Sequence, residues 1–286
     1  MTGPETTVRV TAAVAAARGV AAAHGLPVHD VRVLHDGANV VLRLFPAPVV
    51  VRVATLTPLL RPDPARSFAR EVELAGALAA AGAAVVPPSD LLPPGPHRNG
   101  DTVLSFWTAV DVVPDVPSPA QAGAALAGLH EALADVPPEG TPLDTPLDDL
   151  TVFVAGATDW GLTAEQAGRL AERLAAVRPR LDGDVRQLHG DAHPGNLLAT
   201  PAGWLWCDLE DTCPGPLAWD LACLRTTRRL DGRAALDTFP GAPSDAELAP
   251  WLELRRLHAA VWWTVIATGH PEMRAEARVR AAEAFG

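Results

Sequence analysis

Helical and strand-like hydrophobic patterns alternate along the first third of the chain. Alanine and valine at helical spacing predict an amino-terminal helix over residues 6–24, which Gly25 and Pro27 end. Three valine-rich runs separated by turn residues predict strands over residues 28–34, 39–45 and 49–54. Residues 65–81 then form a one-sided apolar helix, and residues 101–110 resume as a strand. The pattern predicts a small antiparallel sheet with one packed helix.

The remainder of the chain is mainly helical in its pattern. Thr163 and Gln166 form a capping box at the start of one predicted helix. The predicted helices cover residues 119–134, 163–177, 217–230, 246–268 and 271–285. Short apolar runs at residues 185–188, 197–199 and 204–207 fit hairpin strands. The proline- and acid-rich residues 137–149 are interpreted as a loop, and residues 114–119 as a crossing between two lobes.

Length and charge narrow the class of protein. The chain has 286 residues, of which 48% are hydrophobic, enough for one large domain or two lobes with a cleft. Its formal net charge of −11 argues against a nucleic-acid partner, since a phosphate backbone is bound by surplus Lys and Arg. An acidic surface can attract a cationic small molecule, although such surfaces are commonplace.

Other features of the composition bear on location and on metal sites. The sequence has no run of eighteen apolar residues and no secretory signal at its start, so we expect a cytoplasmic protein with no membrane partner. Cys207, Cys213 and Cys223 suggest neither a disulfide framework nor a structural zinc site. Every basic side chain apart from histidine is arginine, because the sequence contains no lysine.

The densest chemical signal lies between residues 189 and 211. The run His189-Gly190-Asp191-Ala192-His193-Pro194-Gly195-Asn196 is followed by Asp208-Leu209-Glu210. Phosphoryl transfer from a nucleotide needs an acidic group beside the attacking hydroxyl, and an amide oxygen and a carboxylate to hold Mg²⁺. Asp191, Asn196 and Asp208 supply these groups once each. His-Gly-Asp alone is ordinary turn material, but the spacing and the second acidic block favour phosphoryl transfer.

These motifs resemble those of the aminoglycoside phosphotransferase family, which also includes choline, homoserine and macrolide kinases. The likeness is dense from residue 187 to 224 and takes in Gly215-Pro216-Leu217-Ala218-Trp219-Asp220-Leu221-Ala222. It implies an α+β, protein-kinase-like fold, with a nucleotide-binding lobe over residues 1–110 and a helical lobe over residues 111–286. It also implies a Mg²⁺-dependent transfer from ATP or GTP to a small-molecule hydroxyl. The acceptor is expected to be cationic, either an aminoglycoside or other antibiotic, or else a primary metabolite.

The resemblance also suggests a nucleotide site in the first lobe. Arg52 stands where the family has a phosphate-binding lysine, and Glu71 is its expected helical partner, with Glu73 as second choice. An arginine can bind phosphate, but its planar fork has different geometric demands. The turn of residues 36–39, with Gly37 and Asn39, is expected to cover the phosphates. Residues 105–108, with Ser105 and Trp107, are expected to form the hinge that receives the adenine edge through backbone groups.

Other residues receive supporting or acceptor-side roles. The resemblance implies that His189 and Asp220 brace the catalytic loop, and His193 lies near the acceptor or holds the loop together. Glu210 and Asp211 are open between a second metal contact, amine binding and surface charge. Helical spacing groups further acceptor-wall candidates, although such stripes are more often core: Trp251, His258, Trp262 and Trp263.

Two other interpretations stay open at the level of sequence. His189-x-Asp191-x-His193 could be a metal triplet of a hydrolase, although the other histidines form no second cluster. The missing lysine could mark a nucleotide-binding protein without catalysis, although a site without catalysis has no physical need for both metal ligands. The sequence does not predict an oligomeric state.

Overall fold

The computed structural model describes residues 4–286, with side chains from Val8 onward. A helix, α1 (Pro4–Ala23), precedes a five-stranded antiparallel sheet of order β1-β2-β3-β5-β4. The strands are β1 (Val28–Asp36), β2 (Asn39–Pro46), β3 (Val49–Ala54), β4 (His97–Asn99) and β5 (Thr102–Thr108). Helix α2 (Pro64–Ala80) lies between β3 and β4 in the chain. The predicted sheet and both of its helices are confirmed, and β4 is an addition to them.

Alternation along the strands divides the sheet into two faces. Val49, Val51 and Val53 of β3 are fully buried and belong to one apolar cluster with Ala17 of α1. Since successive strand residues point to opposite faces, Arg52 projects away from α1. Phe68 of α2 is buried on that second side, and the Arg52 guanidinium lies 5.5 Å from its ring centroid. The sequence of β3 therefore packs one face and presents a cation on the other.

The second part of the molecule is a helical assembly around one large apolar core. Its helices are α3 (Pro119–Leu133), α4 (Asp144–Ala155), α5 (Ala164–Val177), α6 (Ala218–Arg225), α7 (Gly232–Leu236), α8 (Ala249–Gly269) and α9 (Arg274–Phe285). The capping box of Thr163 and Gln166 opens α5 as predicted, and Ser118 and Gln121 form another before α3. Among the helices of residues 4–286, none combines the length and apolar character needed to span a bilayer.

Two small antiparallel pairs hold the motif region. Strands β7 (Leu197–Thr200) and β8 (Gly203–Trp206) form the predicted hairpin. Strand β6 (Val185–Gln187) pairs instead with β9 (Pro214–Pro216), which was not predicted because its sequence is Pro-Gly-Pro. Because the pairs begin and end at neighbouring points of the chain, loops 188–196 and 207–213 lie side by side.

Two boundaries differ from the sequence-based prediction. The interpretation of residues 137–149 as a loop is wrong from Asp144 onward, where α4 begins. Pro146 is tolerated because it lies in the first helical turn, where backbone N–H groups have no partner within the helix. The helix predicted over residues 217–230 stops at Arg225, and Asp231 caps the separate helix α7 through the N–H groups of Arg233 and Ala234.

Candidate active site

Arg52 is the centre of a buried cluster of carboxylates. Its Nη1 donates to Glu71 Oε1 over 2.6 Å, and its Nη2 donates to Glu210 Oε2 over 2.5 Å and to Asp208 Oδ1. Burial lowers the pKa of Arg52, but the three carboxylates outweigh it and raise the pKa well above the ordinary value. Burial, with Asp208 and Glu210, opposes Arg52 and raises the pKa of Glu71 above its ordinary value. Glu73, the second-choice partner, is exposed.

The backbone of the catalytic loop is supported from α6. Asp220 is fully buried and accepts hydrogen bonds from the N–H groups of His189 and Gly190, each over 2.9 Å, and its Oδ2 lies 3.0 Å from His130 Nε2. Burial raises the pKa of Asp220, but the histidine contacts outweigh it and the pKa is lowered. Trp219 Nε1 donates to the Gly190 carbonyl over 2.7 Å. These are contacts that a loop-bracing role requires.

Gly190 allows the catalytic loop to approach the loop of residues 207–213. Its φ is +90°, and a Cβ at this position would lie 1.9 Å from the Asp211 carbonyl oxygen. A larger residue is excluded both by the backbone conformation and by this contact. The glycine of the His-Gly-Asp triplet is therefore required by the close packing of the two loops.

Asp191 is held by three neighbours. Its Oδ1 lies 2.6 Å from Arg255 Nη2, and its Oδ2 lies 3.2 Å from His193 Nε2 and 3.3 Å from Asn196 Nδ2. His193 Nδ1 accepts from the Gly195 N–H over 2.9 Å, so Nε2 carries the proton on the side that faces Asp191. Burial raises the pKa of Asp191, but Arg255 and His193 outweigh it and hold the pKa well below the ordinary value. Asp191 is thus a carboxylate.

Asn196 and Asp208 have the donor atoms and placement that suit Mg²⁺. Asn196 Nδ2 donates to the Asp191 carbonyl over 2.9 Å, which leaves its side-chain oxygen as the group able to bind a cation. The Cys207 N–H donates to the Asn196 carbonyl over 2.9 Å and so ties the two loops together. Asp208 follows Cys207 in a left-handed conformation, φ 63°, with 45% of its side chain exposed. The two oxygen donors therefore lie on adjacent, linked loops.

A second buried arginine joins the loop after β3 to the helical part. Arg61 donates to Asp149 through Nε over 2.9 Å and Nη2 over 2.7 Å, and its Nη1 lies 2.7 Å from Asp211 Oδ1 and 3.3 Å from Glu210 Oε1. Its guanidinium lies 5.1 Å from the Trp262 ring centroid. Burial lowers the pKa of Arg61, but its carboxylate partners outweigh it and raise the pKa well above the ordinary value.

Asp149 collects donors from α8 as well as from Arg61. Its Oδ2 lies 3.0 Å from His258 Nε2 and accepts from Trp262 Nε1 over 3.0 Å. Burial raises the pKa of Asp149, but Arg61 and His258 outweigh it and hold the pKa well below the ordinary value. Glu210 connects the two arginine clusters, because its carboxylate contacts both Arg52 and Arg61.

A sequence model of the phosphotransferase enzyme family matches residues 20–257, most of the chain. The chain belongs to this family. The protein is accordingly a small-molecule phosphotransferase, and the predicted resemblance is confirmed.

Solved structures share the fold of this phosphotransferase. The GDP and kanamycin complex of APH(2")-IIIa has a TM-score of 0.66 at 15% identity, covering 94% of this chain and 97% of that one. A choline/ethanolamine kinase family protein from Mesorhizobium loti has a TM-score of 0.58 at 20% identity, covering 89% and 86%. A microcompartment-associated aminopropanol kinase has a TM-score of 0.63 at 18% identity, covering 94% of both chains. The predicted α+β, protein-kinase-like fold is confirmed.

The predicted nucleotide residues of the phosphotransferase fall in two different settings. Asn39 is buried, donates to Glu210 Oε2 over 2.5 Å and accepts from Thr57 Oγ1 over 2.8 Å, so it links the turn that contains Gly37 to the loop of residues 207–213. The strand of residues 105–108 is already hydrogen-bonded on both sides, by β3 and by the backbone of residues 87–94.

That pairing argues against an adenine-receiving role for Ser105 and Trp107. Ser105 pairs with Arg52 in the sheet, and its Oγ accepts from Trp107 Nε1 over 2.9 Å. Both side chains are buried, and their polar atoms already have partners.

The acceptor-wall candidates also separate. His258 and Trp262 join the Asp149 cluster, whereas Trp263 packs against Arg280, whose guanidinium lies 4.1 Å from its ring centroid. Trp251 is buried in the helical core.

Both ring nitrogens of His189 have partners, the Asp191 N–H over 3.3 Å and the Cys207 carbonyl over 3.2 Å, which argues against the metal-triplet interpretation.

Three residues of the phosphotransferase site were not predicted from the sequence: Arg61, Asp149 and Arg255. Arg255 had a usable signal, because it continues the helical spacing of Trp251, His258 and Trp262. Arg61 and Asp149 had none of this kind, since their pairing joins positions 88 residues apart.

Proposed function

We propose that the protein transfers the γ-phosphate of ATP or GTP, with Mg²⁺, to a hydroxyl group of a small molecule. One observation carries this proposal: Asp191, Asn196 and Asp208 lie on two linked loops, and Asp208 contacts Arg52 of the sheet, which is paired with Glu71 of α2. The arrangement joins a group for the acceptor hydroxyl, two oxygen donors and a phosphate-binding cation. The GDP complex of the structurally similar APH(2")-IIIa is consistent with a nucleotide donor.

Each residue has a role that its surroundings support. Asp191 is ionised and would accept the hydrogen of the attacking hydroxyl, with Arg255 and His193 holding it in place. Arg52 would neutralise phosphate charge, since Glu71 fixes one side of its guanidinium. Asn196 and Asp208 would hold Mg²⁺, which when bound offsets the charge that develops on the phosphates. We assign nucleotide binding to residues 1–110 and the catalytic loops and acceptor pocket to residues 111–286.

The acceptor is proposed to be a small hydroxyl compound that carries an amine. A polycation such as an aminoglycoside needs several carboxylates free to bind it. In the described site Asp149, Glu210 and Asp211 contact Arg61, and Asp191 contacts Arg255. This pairing favours an amino alcohol with a single amine over an antibiotic with many. Similar structures include an aminopropanol kinase and a choline/ethanolamine kinase family protein.

The test is nucleotide turnover with Mg²⁺ against amino alcohols, choline, aminoglycosides, macrolides and peptide antibiotics. Wild-type protein is compared with Asp191→Asn, which keeps the shape of the side chain but removes its charge. We expect acceptor-dependent release of ADP or GDP that falls about 10²–10⁴-fold in the variant. Acceptor-dependent transfer that survives in Asp191→Asn would refute the role of Asp191. Failure of the wild type to bind either nucleotide would refute the proposed function.

A response only to polycationic antibiotics would contradict the single-amine acceptor while leaving the phosphotransferase proposal intact. Arg52→Lys addresses the alternative of binding without catalysis. Higher turnover in that variant would show that the protein is catalytically active and that arginine at position 52 limits its turnover. Unchanged turnover in Arg52→Ala would contradict the phosphate-binding role.

A further inference from the structure

Arg255 contacts a single carboxylate among the described residues of the site. It lies on α8 with 15% of its side chain exposed, and its Nη2 is 2.6 Å from Asp191 Oδ1. Asp191 Oδ1 is nevertheless a buried atom that receives no hydrogen bond from the described residues. The contact is therefore an ion pair without an aligned hydrogen bond. A guanidinium has five N–H donors in a planar fork, so donors of Arg255 stay available beside the catalytic carboxylate.

The three arginines of the site differ in how far their charge is balanced. Arg52 and Arg61 each contact three carboxylates, whereas Arg255 contacts one among the described residues. The guanidinium of Arg255 also lies 6.0 Å from the Trp219 ring centroid, a position that supports a cation without supplying a negative charge. Of the three, Arg255 is the cation most able to take a further anionic partner.

The position of Asp191 defines where that partner would lie. A hydroxyl bound to Asp191 has its oxygen about 2.7 Å from the carboxylate. The phosphorus atom that it attacks lies about 3–3.5 Å beyond that oxygen. An arginine in contact with the same carboxylate can therefore reach an oxygen of the transferring group by a small change in side-chain angles. The transition state spreads negative charge over these oxygens, where an arginine in the same chain is effective.

We propose that Arg255 is a catalytic residue that pairs with Asp191 in the free protein and binds a nonbridging oxygen of the phosphoryl group during transfer. The inference rests on the proposed function. In the step, the acceptor oxygen forms a bond to the γ-phosphorus as the bond from that phosphorus to the β–γ bridging oxygen breaks. The nucleoside diphosphate leaves with the electron pair, the hydroxyl proton passes to Asp191, and Arg255 keeps all its protons.

The test compares Arg255→Met and Arg255→Lys with wild type, and Arg256→Met serves as the matched control. Arg256 is the next residue of α8, its side chain is 53% exposed, and it contacts Glu253. Binding of Mg·ADP and Mg·GDP is measured by calorimetry with and without aluminium fluoride, which with the diphosphate mimics a transferring phosphoryl group. Turnover is then measured with the acceptor that gives the highest rate, and thermal melting reports folding.

We expect aluminium fluoride to tighten diphosphate binding in the wild type and in Arg256→Met. In Arg255→Met most of this gain is lost, diphosphate affinity without fluoride is unchanged, and kcat falls on the order of 10³-fold. Arg255→Lys should fall in between, because lysine keeps the charge but not the fork. If Arg255→Met fails to fold, Arg255→Lys provides the test. The inference is overturned if aluminium fluoride tightens diphosphate binding to Arg255→Lys as much as to the wild type and kcat is unchanged.

Other results distinguish failure of the role proposed for Arg255 from failure of the proposed function. A retained fluoride gain in folded Arg255→Met overturns the inference alone. So does a rise in acceptor KM at unchanged kcat, which would assign Arg255 to an anionic group of the acceptor. A wild type that binds diphosphate without any fluoride gain also overturns it. A wild type that binds no nucleotide overturns both the proposed function and the role of Arg255.

Discussion

Replacement of Asp149 by asparagine tests the buried cluster that joins the sheet to the helical part. The side chain of Asp149 is 2% exposed and faces four donor contacts, two from Arg61 and one each from His258 and Trp262. Asp149→Asn removes the charge and places an amide N–H₂ among groups that are themselves donors. The shape of the side chain is nearly unchanged, so the effect reports charge and hydrogen bonding.

The magnitude follows from the contacts that remain. Removing one partner of a buried ion pair costs about 3–5 kcal/mol, because the other charge stays buried and uncompensated. Arg61 keeps Asp211 at 2.7 Å and Glu210 at 3.3 Å, which points to the lower end, about 3 kcal/mol. For a chain of this size each kcal/mol lowers the melting temperature by about 2–4 °C. The expected decrease is therefore about 6–12 °C at pH 7.

Thermal melting by circular dichroism measures the effect, and Asp148→Asn is the control. Asp148 is the preceding residue of α4 and is exposed, so its replacement should leave the melting temperature within about 1 °C of wild type. Equal melting temperatures for the two variants would refute the argument. A large loss in Asp148→Asn would show that the helix itself, and not the buried cluster, responds to charge.

The pH dependence of the same difference is a further check. The folded pKa of Asp149 is lowered, so its contribution is fully present above the unfolded carboxyl pKa of about 3.9. The contribution is lost as the pH falls through the lower folded value. The difference between wild type and Asp149→Asn should be constant from pH 5 to 8 and should shrink below about pH 4. A difference that grows on acidification would contradict this sign.

Three other changes have defined outcomes. Asp220→Asn should lower stability by about 2–4 kcal/mol in chemical denaturation, because the carboxylate accepts from two backbone N–H groups and contacts His130; unchanged stability would contradict its bracing role. Gly190→Ala should reduce kcat at least about 10²-fold, since a Cβ 1.9 Å from the Asp211 carbonyl displaces the catalytic loop; wild-type turnover would show that the loops separate freely. Chelation of divalent cations should abolish turnover and added Mg²⁺ should restore it; full activity in excess EDTA would refute metal dependence.

Local sequence patterns predicted the helices and strands whose signals lie within their own sequence. The valine alternation of β2 and β3 required one buried face, and the Thr163–Gln166 box marked the start of α5. Helix α4 was missed because prolines and acidic residues are also typical of loops, and Asp149 gains its buried setting from α8 and from Arg61, both distant in the chain. Strand β9 owes its pairing to β6, whose partner residues lie 27 or more positions earlier in the chain.

The candidate site divides in the same way. Asp191, Asn196 and Asp208 lie on one short segment with a recognisable spacing, so sequence alone predicted their roles, which remain to be tested. Arg61 pairs with a residue 88 positions away, and no local pattern connects the two. Arg255 shares the helical spacing of Trp251 and His258, but its pairing with Asp191 spans 64 positions. The interpretation of Ser105 and Trp107 failed to anticipate that both edges of their strand are occupied by backbone partners.

The use of Arg52 in place of lysine has a consequence for chemical probes of the site. Reagents that acylate the ε-amine of an active-site lysine, including nucleotide acyl phosphates, have no target here, because the sequence contains no lysine. Dicarbonyl reagents modify guanidinium groups instead, and Arg52 is enclosed by three carboxylates whereas Arg255 is not. Of these two arginines Arg255 has fewer ionic partners, and covalent inhibitors built around lysine chemistry would spare this protein.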